Sequence, residues 1–444
     1  MEQEVTWDAW IQERDERSRS PGKPEALDDL IVLDLSTESM AGVFCTSLLA
    51  QFGAEVIRVE PPGGDVVRSF TPFGTRHRET GLGYLVEGRN KLHVTLDLHN
   101  GTGRAIPSTL ARRADVLVET FRPGEADALG IGYRQVSSLN PRLIYAAIST
   151  YGRWGPEASR QKAKRDREVA DQALSGLVQM TGEPASESES DPRPYEVPTK
   201  AGPWMGWYAG GVWTAFGVLA ALRWRKVSGR GQMVDVSGAE AIMRWVEDMV
   251  TYYQKAGIDR QRVGLLDTSV FPYTFVPTTD GYAMIAGFSD VNFTGLPNIM
   301  GKDHLREDPR FKTFLDRGRP ENRKALYAED AEWSKSHSAQ EILDLVQDYV
   351  MNKKGPGTVA TGKVNQPEDV LAEQNWWIRG PIEKVEDPVY GEVVVQGPAV
   401  KATETPPRVK WVCRPPGADN GYVYLKYLGL GRSRLEELAA AGVV

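Results

Sequence analysis

Carboxylates near the middle of the chain and a glycine-rich run some forty residues later carry the most chemistry in their spacing. Glu168 ends the charged stretch Lys164-Arg165-Asp166-Arg167-Glu168, and Asp171 follows three residues on. A carboxylate can attack an acyl group and carry it covalently, whereas the bland role for such a group is a solvated face or an ion pair. The glycine run is Gly206-Trp207-Tyr208-Ala209-Gly210-Gly211, leading into Phe216-Gly217-Val218-Leu219-Ala220-Ala221-Leu222 and then Ser228-Gly229-Arg230-Gly231-Gln232.

Other reactive types are sparse. Cys45 and Cys413 lie far apart without the spaced Cys or His partners of a zinc site, so no metal is expected. The histidines are His77, His93, His99, His304 and His337. Tryptophan is abundant, 12 residues in all, which fits core and interface filling better than an aromatic-substrate pocket.

These groups need a scaffold, and 444 residues exceed one typical core, so two domains are expected. Hydrophobic residues make up 41% and charged residues 25%, an ordinary globular usage. Lys+Arg of 53 against Asp+Glu of 60 leaves a net charge of −7 with no basic stripe, which disfavours nucleic acid as a partner. The first nineteen residues are charged, and no apolar run of membrane-spanning length stands out, so a cytoplasmic protein without a membrane partner is expected.

Apolar runs at residues 30–35, 54–59, 92–96, 115–119 and 143–148 read as strands, with helices over about 39–52 and 103–113 between them. Gly53 is placed as the stop of the first helix. Alternation of this kind predicts an α/β fold, a doubly wound, Rossmann-like large domain, plus a smaller α+β domain. Gly42 and Gly53 do not make a GxGxxG fingerprint, so no nicotinamide cofactor is implied. The polar, proline-rich stretch 183–194 reads as an exposed loop. Apolar helices over about 207–225 and from residue 238 are expected to carry the chain across to the second lobe. Residues 272–293 read as a short β segment, 302–353 as mostly helical, 382–400 as strand-like and 432–441 as a last helix. The expected division is an N-terminal extension 1–27, a large domain beginning at 28–225, a small domain with connecting helices at 226–330, and a return segment 331–444.

Several segments together resemble the class III CoA-transferase family, which includes formyl-CoA and carnitine CoA-transferases and 2-methylacyl-CoA racemases. They are Val32-Leu33-Asp34-Leu35-Ser36, the run from Phe52 to Glu60 with Gly64-Asp65, Arg89-Asn90-Lys91, Thr120-Phe121-Arg122-Pro123-Gly124, Gln172-Ala173-Leu174-Ser175-Gly176 and Asp308-Pro309-Arg310-Phe311. The resemblance implies the family fold with its interlocked dimer, and CoA or acyl-CoA as substrate with no permanently bound cofactor. It also implies an aspartate nucleophile ten residues before Gly217, where this chain has Trp207. Indole can neither attack a thioester nor accept an acyl group. The positions that resemble the CoA contacts are Leu96, His99, Thr120, Phe121, Arg122 and Arg165. Basic groups expected around them are replaced by Pro61, His99 and Ala128, which weakens the case for CoA binding in this chain.

No histidine falls between Phe121 and Glu168, where the racemase base would lie, so racemase chemistry is disfavoured. Two readings follow from the resemblance. One is an active homodimeric CoA-transferase using another carboxylate such as Glu168. The other, preferred, is a silent subunit whose paralogous partner supplies the aspartate in a heterodimer or heterotetramer. That pairing resembles the two-subunit members that transfer CoA from succinyl-CoA to (R)-benzylsuccinate.

Overall fold

The computed structural model describes residues 22–444 apart from 161–166, 185–197, 247, 268–269, 288, 353, 356 and 358. Most of the 183–194 loop, together with Arg165 and Asp166, therefore lies outside the described residues.

The chain divides into two compact units. Unit 1 comprises Met1–Val178, Lys200–Thr251 and Gln374–Val444. Its centre is a six-stranded parallel sheet of β1 (Ile31–Leu35), β2 (Glu55–Glu60), β3 (Lys91–Thr95), β4 (Val116–Glu119), β5 (Ile144–Ser149) and β6 (Met233–Ser237). The spatial order is β3-β2-β1-β4-β5-β6, the doubly wound order in which the chain reverses direction beside β1. Strand residues alternate between two cores. Val32, Val56, Val116, Val118 and Ile148 enter one, and Leu33, Leu35, Ile57, Leu117 and Ala147 enter the other. Burial of both faces is why these strands read as nearly continuous apolar runs.

Helix α1 (Met40–Gln51) follows β1, with the Ser39 hydroxyl accepting from the Ala41 N–H at its start and Gly53, at φ 105°, just past its end. Helices α2 (Ala105–Ala111) and α3 (Glu168–Leu174) are short, and α4 (Met205–Ser228) is the longest. The glycines of α4 are packing devices. A Cβ at Gly211 would lie 2.7 Å from the Ala41 carbonyl oxygen of α1, so glycine there permits the close approach of the two helices. Among the described residues α4 is the one helix long and apolar enough to cross a membrane by length and composition. Its buried residues Ala215, Val218, Ala221 and Leu222 nonetheless share a core with β4 and β5, the placement of a core helix.

Unit 2 comprises Gln179–Thr199 and Tyr252–Glu373. An antiparallel sheet of β7 (Tyr273–Thr278), β8 (Gly281–Ala286) and β9 (Ala360–Lys363) shares a core with α6 (Pro320–Ser334) and α7 (Ala339–Met351), whereas the short helix α5 (Gly238–Met243) belongs to unit 1.

Three expectations about the domains change. The helices near 207–225 and 238 belong to unit 1 and do not carry the chain across. The return to unit 1 begins at Gln374 and not at 331, because Leu326, Ile342 and Val346 bury their side chains with Phe271, Val276 and Ile285. The small unit begins its second stretch at Tyr252 and not at 226, because β6 pairs with β5 as the sheet edge. In the last stretch the hairpin β10 (Ile382–Asp387) and β11 (Gly391–Gln396) joins the first core through Val385 and Val395. Helix α8 (Asn420–Leu428) covers the second through Val423, Tyr424 and Tyr427, and α9 (Arg432–Ala440) adds Leu438.

Candidate functional site

Parallel α/β sheets bind ligands at the carboxyl ends of their strands, where the strand order reverses. In this chain β1, β2, β3 and β4 end around a crevice of about 150 Å³ lined by Leu35, Ser36, Thr37, Pro61, Leu96, His99 and Phe121, among others. Three of the sequence-inferred contacts, Leu96, His99 and Phe121, thus meet in one place. Leu96 and Phe121 are buried and His99 is exposed, its backbone N–H donating to Asp97 Oδ1 at 2.9 Å.

Thr120 and Arg122 do other work. Thr120 is buried, and its hydroxyl donates to the Thr37 carbonyl and accepts from the Thr37 N–H, both at 2.8 Å, so it staples the loop after β1 to the end of β4. Arg122 lies outside the crevice and pairs with Glu125, Nε to Oε2 at 3.2 Å, a bond that raises its pKa. The described lining of the crevice holds Glu60, Asp97 and Glu125 but no lysine or arginine. Anionic phosphates are ordinarily held by such cations, so the charge pattern runs against a nucleotide phosphate here.

The motifs that signalled the family frame this crevice from below with buried charge, which sequence reading treated as plain strand. Asp34 accepts from Arg58 Nη1 at 3.0 Å and Thr46 Oγ1 at 2.6 Å, also bonds the Ser36 hydroxyl, and lies 3.5 Å from Lys91 Nζ. Burial raises its pKa, but Arg58 and Lys91 with the two hydroxyls outweigh that and hold it at about 2. Burial brings Lys91 down to about 8 despite Asp34. Beside them Glu60 takes Arg68 Nε at 2.6 Å, His93 Nδ1 at 2.9 Å and Tyr84 Oη at 3.0 Å. Burial works against its charge, yet His93 and Arg68 hold its carboxyl well below the usual range. These strand charges lock β1, β2 and β3 together. The only sequence signal for them was a charged residue inside each apolar run.

Trp207, where the resemblance implies the nucleophile, lies on the first turn of α4. Trp207 is 6% exposed, and its ring stacks parallel to Phe70, centroids 5.7 Å apart at an interplanar angle of 1°. Trp204, which caps α4 in the left-handed region at φ 53°, completes a triad at 6.2 Å from Trp207 and 6.3 Å from Phe70. The indole N–H of Trp207 is buried with no acceptor among the described residues. Phe70 follows a short turn, Val66–Ser69, whose start is capped by Asp65 accepting from the Val67 N–H at 3.0 Å. Aromatic surface fills the place where a reactive carboxylate was expected.

Glu168 is an ion-pair residue. It starts α3, is buried, and binds Lys200 Nζ at 2.8 Å and Gln172 Nε2 at 2.8 Å. Arg165, the remaining CoA-contact candidate, lies outside the described residues. Asp171 is closer to position 207 than sequence reading indicated. It is 0% exposed, and its carboxylate packs so tightly against the first turns of α4 and α5 that a Cβ at Gly206 or Gly238 would lie 2.9 or 2.4 Å from its Oδ2. Its place one helical turn beyond Glu168 was the one signal available.

A doubly wound parallel sheet with a crevice at its switch point defines an α/β protein of Rossmann-like architecture. Residues 27–420 match the model of CoA-transferase family III, and the chain belongs to that family. It is 34% identical over 425 residues to a succinyl-CoA–D-citramalate CoA-transferase of Chloroflexus aurantiacus, covering 95% of this chain and 98% of that protein. It is 30% identical over 426 residues to the alpha subunit of a succinyl-CoA–L-malate CoA-transferase, also of Chloroflexus aurantiacus, covering 94% and 92%. Among solved structures, a CaiB/BaiF family protein from Brucella suis superposes with a TM-score of 0.76 at 26% identity, covering 91% of this chain and all of that one.

Proposed function

We propose that this chain is the catalytically silent subunit of a heteromeric class III CoA-transferase, paired with a paralogous subunit that carries the aspartate. The observation that carries this reading is Trp207, buried and stacked on Phe70 where the nucleophile is required. In the transfer a carboxylate attacks the thioester carbonyl, forms a mixed anhydride and expels CoA thiolate, which then attacks the anhydride at the enzyme acyl carbon and releases the donor acid. An indole supplies no oxygen for that exchange. Among the described residues the crevice has no lysine or arginine, which supports the same reading, since CoA phosphates are ordinarily held by such cations.

The donor we propose is succinyl-CoA and the acceptor a dicarboxylic acid, because the relatives are named for succinyl-CoA with D-citramalate and L-malate. (R)-Benzylsuccinate, a succinate bearing an aromatic substituent, is the specific acceptor to test first. The relative named as an alpha subunit supports a heteromer, which we place in the cytoplasm as an interlocked heterodimer or heterotetramer.

The test is to assay succinyl-CoA-dependent transfer with the chain alone and after co-expression with a paralogue carrying Gly-Asp at this position. No turnover alone and turnover with the partner is expected. Robust turnover by the isolated chain, with a hydroxylamine-sensitive acyl adduct on Glu168 or Asp171, would establish the active-homodimer alternative.

A further inference from the structure

The segment that precedes the described chain has a marked chemical character. Residues 1–13 hold Glu2, Glu4, Asp8 and Glu13 with no lysine or arginine, and among these acids stand Val5, Trp7, Trp10 and Ile11. Such a segment is complemented by a surface that offers cations together with apolar contact area.

The described chain begins beside a surface of that kind. Lys23 Nζ donates to the Thr403 carbonyl, Arg408 Nη2 donates to the Lys23 carbonyl at 2.8 Å, and Lys410 Nζ pairs with Glu25 Oε2 at 2.5 Å. Residues 23–25 are thereby fastened along residues 403–410 within unit 1. Arg408 also lines a cavity of about 450 Å³, built from the short helix Gln374–Arg379, the start of β10 and residues 400–409. That volume is within the range of ligand pockets.

The cavity complements the segment in two respects. Arg379, Lys384, Lys401 and Arg408 line it against a single acid, Glu383. Its walls also carry Trp377 and Val400, both exposed, and large apolar groups left at a cationic surface mark a contact area. Reach is ample, because the twelve residues from Trp10 to Gly22 extend up to about 40 Å. A tether that starts at the cavity wall also holds the segment at high effective concentration there.

We propose that residues 5–13 of this chain dock in this cavity, Trp7 and Trp10 against Trp377 and Val400, and Asp8 and Glu13 toward Arg379 and Lys384. The occupant is the chain's own beginning because its point of attachment, its charge and its aromatic groups all match the cavity. Docking straps the start of the chain to the stretch that re-enters unit 1 at Gln374. It is independent of whether the chain is catalytically silent.

Cys45 and Cys413 are both 0% exposed, so cysteines introduced at the surface react selectively. The experiment places Ala9→Cys and Ala399→Cys, the latter exposed beside Val400, in the full chain and joins them with a short bismaleimide. A cross-link within one chain, identified by mass spectrometry of the monomer band, is expected. Its initial rate should fall about fivefold or more in Trp7→Ala/Trp10→Ala and in Arg379→Glu/Lys384→Glu. Arg379 and Lys384 are exposed, so the second pair keeps the fold. No cross-link, or a rate that both pairs leave unchanged, as for a loose tether, overturns the assignment. A product only at the dimer mass would give the cavity to a second copy, and loss of the cross-link with succinate at constant ionic strength would give it to a small acid. Either result overturns it as well.

Discussion

Trp207 and Phe70 lie face to face, their rings parallel to within 1° and their centroids 5.7 Å apart. The first turn of α4 is thereby tied to the loop after β2 by aromatic contact. Offset stacks of this kind contribute about 0.5–1.5 kcal/mol beyond burial, so the tryptophan is a structural member of the fold.

Restoring the aspartate alone is therefore expected to fail. Trp207→Asp removes the stack and adds no basic group to a crevice that has none among the described residues, so the variant should show no more than trace succinyl-CoA turnover and a lowered melting temperature. Large-to-small changes of a buried aromatic cost about 3–5 kcal/mol. Thioester consumption and a thermal scan on the same preparation check both halves.

Glu168→Gln should leave transfer by the assembled complex unchanged while loosening the chain by about 1–3 kcal/mol, because Lys200 loses its partner and Gln172 keeps a weaker one. Urea unfolding read against steady-state kcat separates the two. A large fall in kcat with unchanged stability would instead make Glu168 a reacting group.

Asp34→Ala should be among the most damaging substitutions in unit 1. It leaves Arg58 and Lys91 buried without their carboxylate, and breaking a buried pair costs about 3–5 kcal/mol. The folded pKa of Asp34, about 2, is below its ordinary 3.8. Its contribution is therefore present above the unfolded value and lost as pH falls toward 2. Denaturant midpoints at pH 3 and pH 7 should converge for wild type and variant at the lower pH.

Asp330 of α6 works in the opposite sense. It is wholly buried, neither oxygen has a hydrogen-bond partner among the described residues, and burial, only partly offset by Lys302 and abetted by Glu329, raises its pKa from 3.8 to about 8. Between those values the folded chain holds a proton that the unfolded chain does not, so stability falls as pH rises through that window. Asp330→Asn has no such titration. Its advantage over wild type in melting temperature should grow from pH 5 to pH 8, and a constant difference would mean that Asp330 is charged in the fold.

Much of the sheet was readable because its strands are buried on both faces and punctuated by glycines, as Gly53 punctuates α1. β6 was not, because Met233-Val234-Asp235-Val236-Ser237 is an edge strand with a charged residue at its centre. The unit boundary at Gln374 was hidden for a different reason. Helix periodicity tells which face of α6 and α7 is apolar but not which sheet it covers. At the site, the resemblance pointed to position 207, and Leu96, His99 and Phe121 line one crevice. The stacking on Phe70, from a distant turn, and the inward course of Asp171 depend on tertiary packing that no local pattern encodes.

The tight seat of Asp171 against Gly206 and Gly238 bears on any attempt at reversion. A carboxyl group already sits at the positive end of the α4 dipole. An aspartate reintroduced at 207 would be the second acid within one residue of that point, and neighbouring acids resist double ionisation, so one of them takes up a proton. The reverted chain would then hold a protonated acid in place of a reactive anion, and Asp171→Ala would have to accompany Trp207→Asp before the new carboxylate could react.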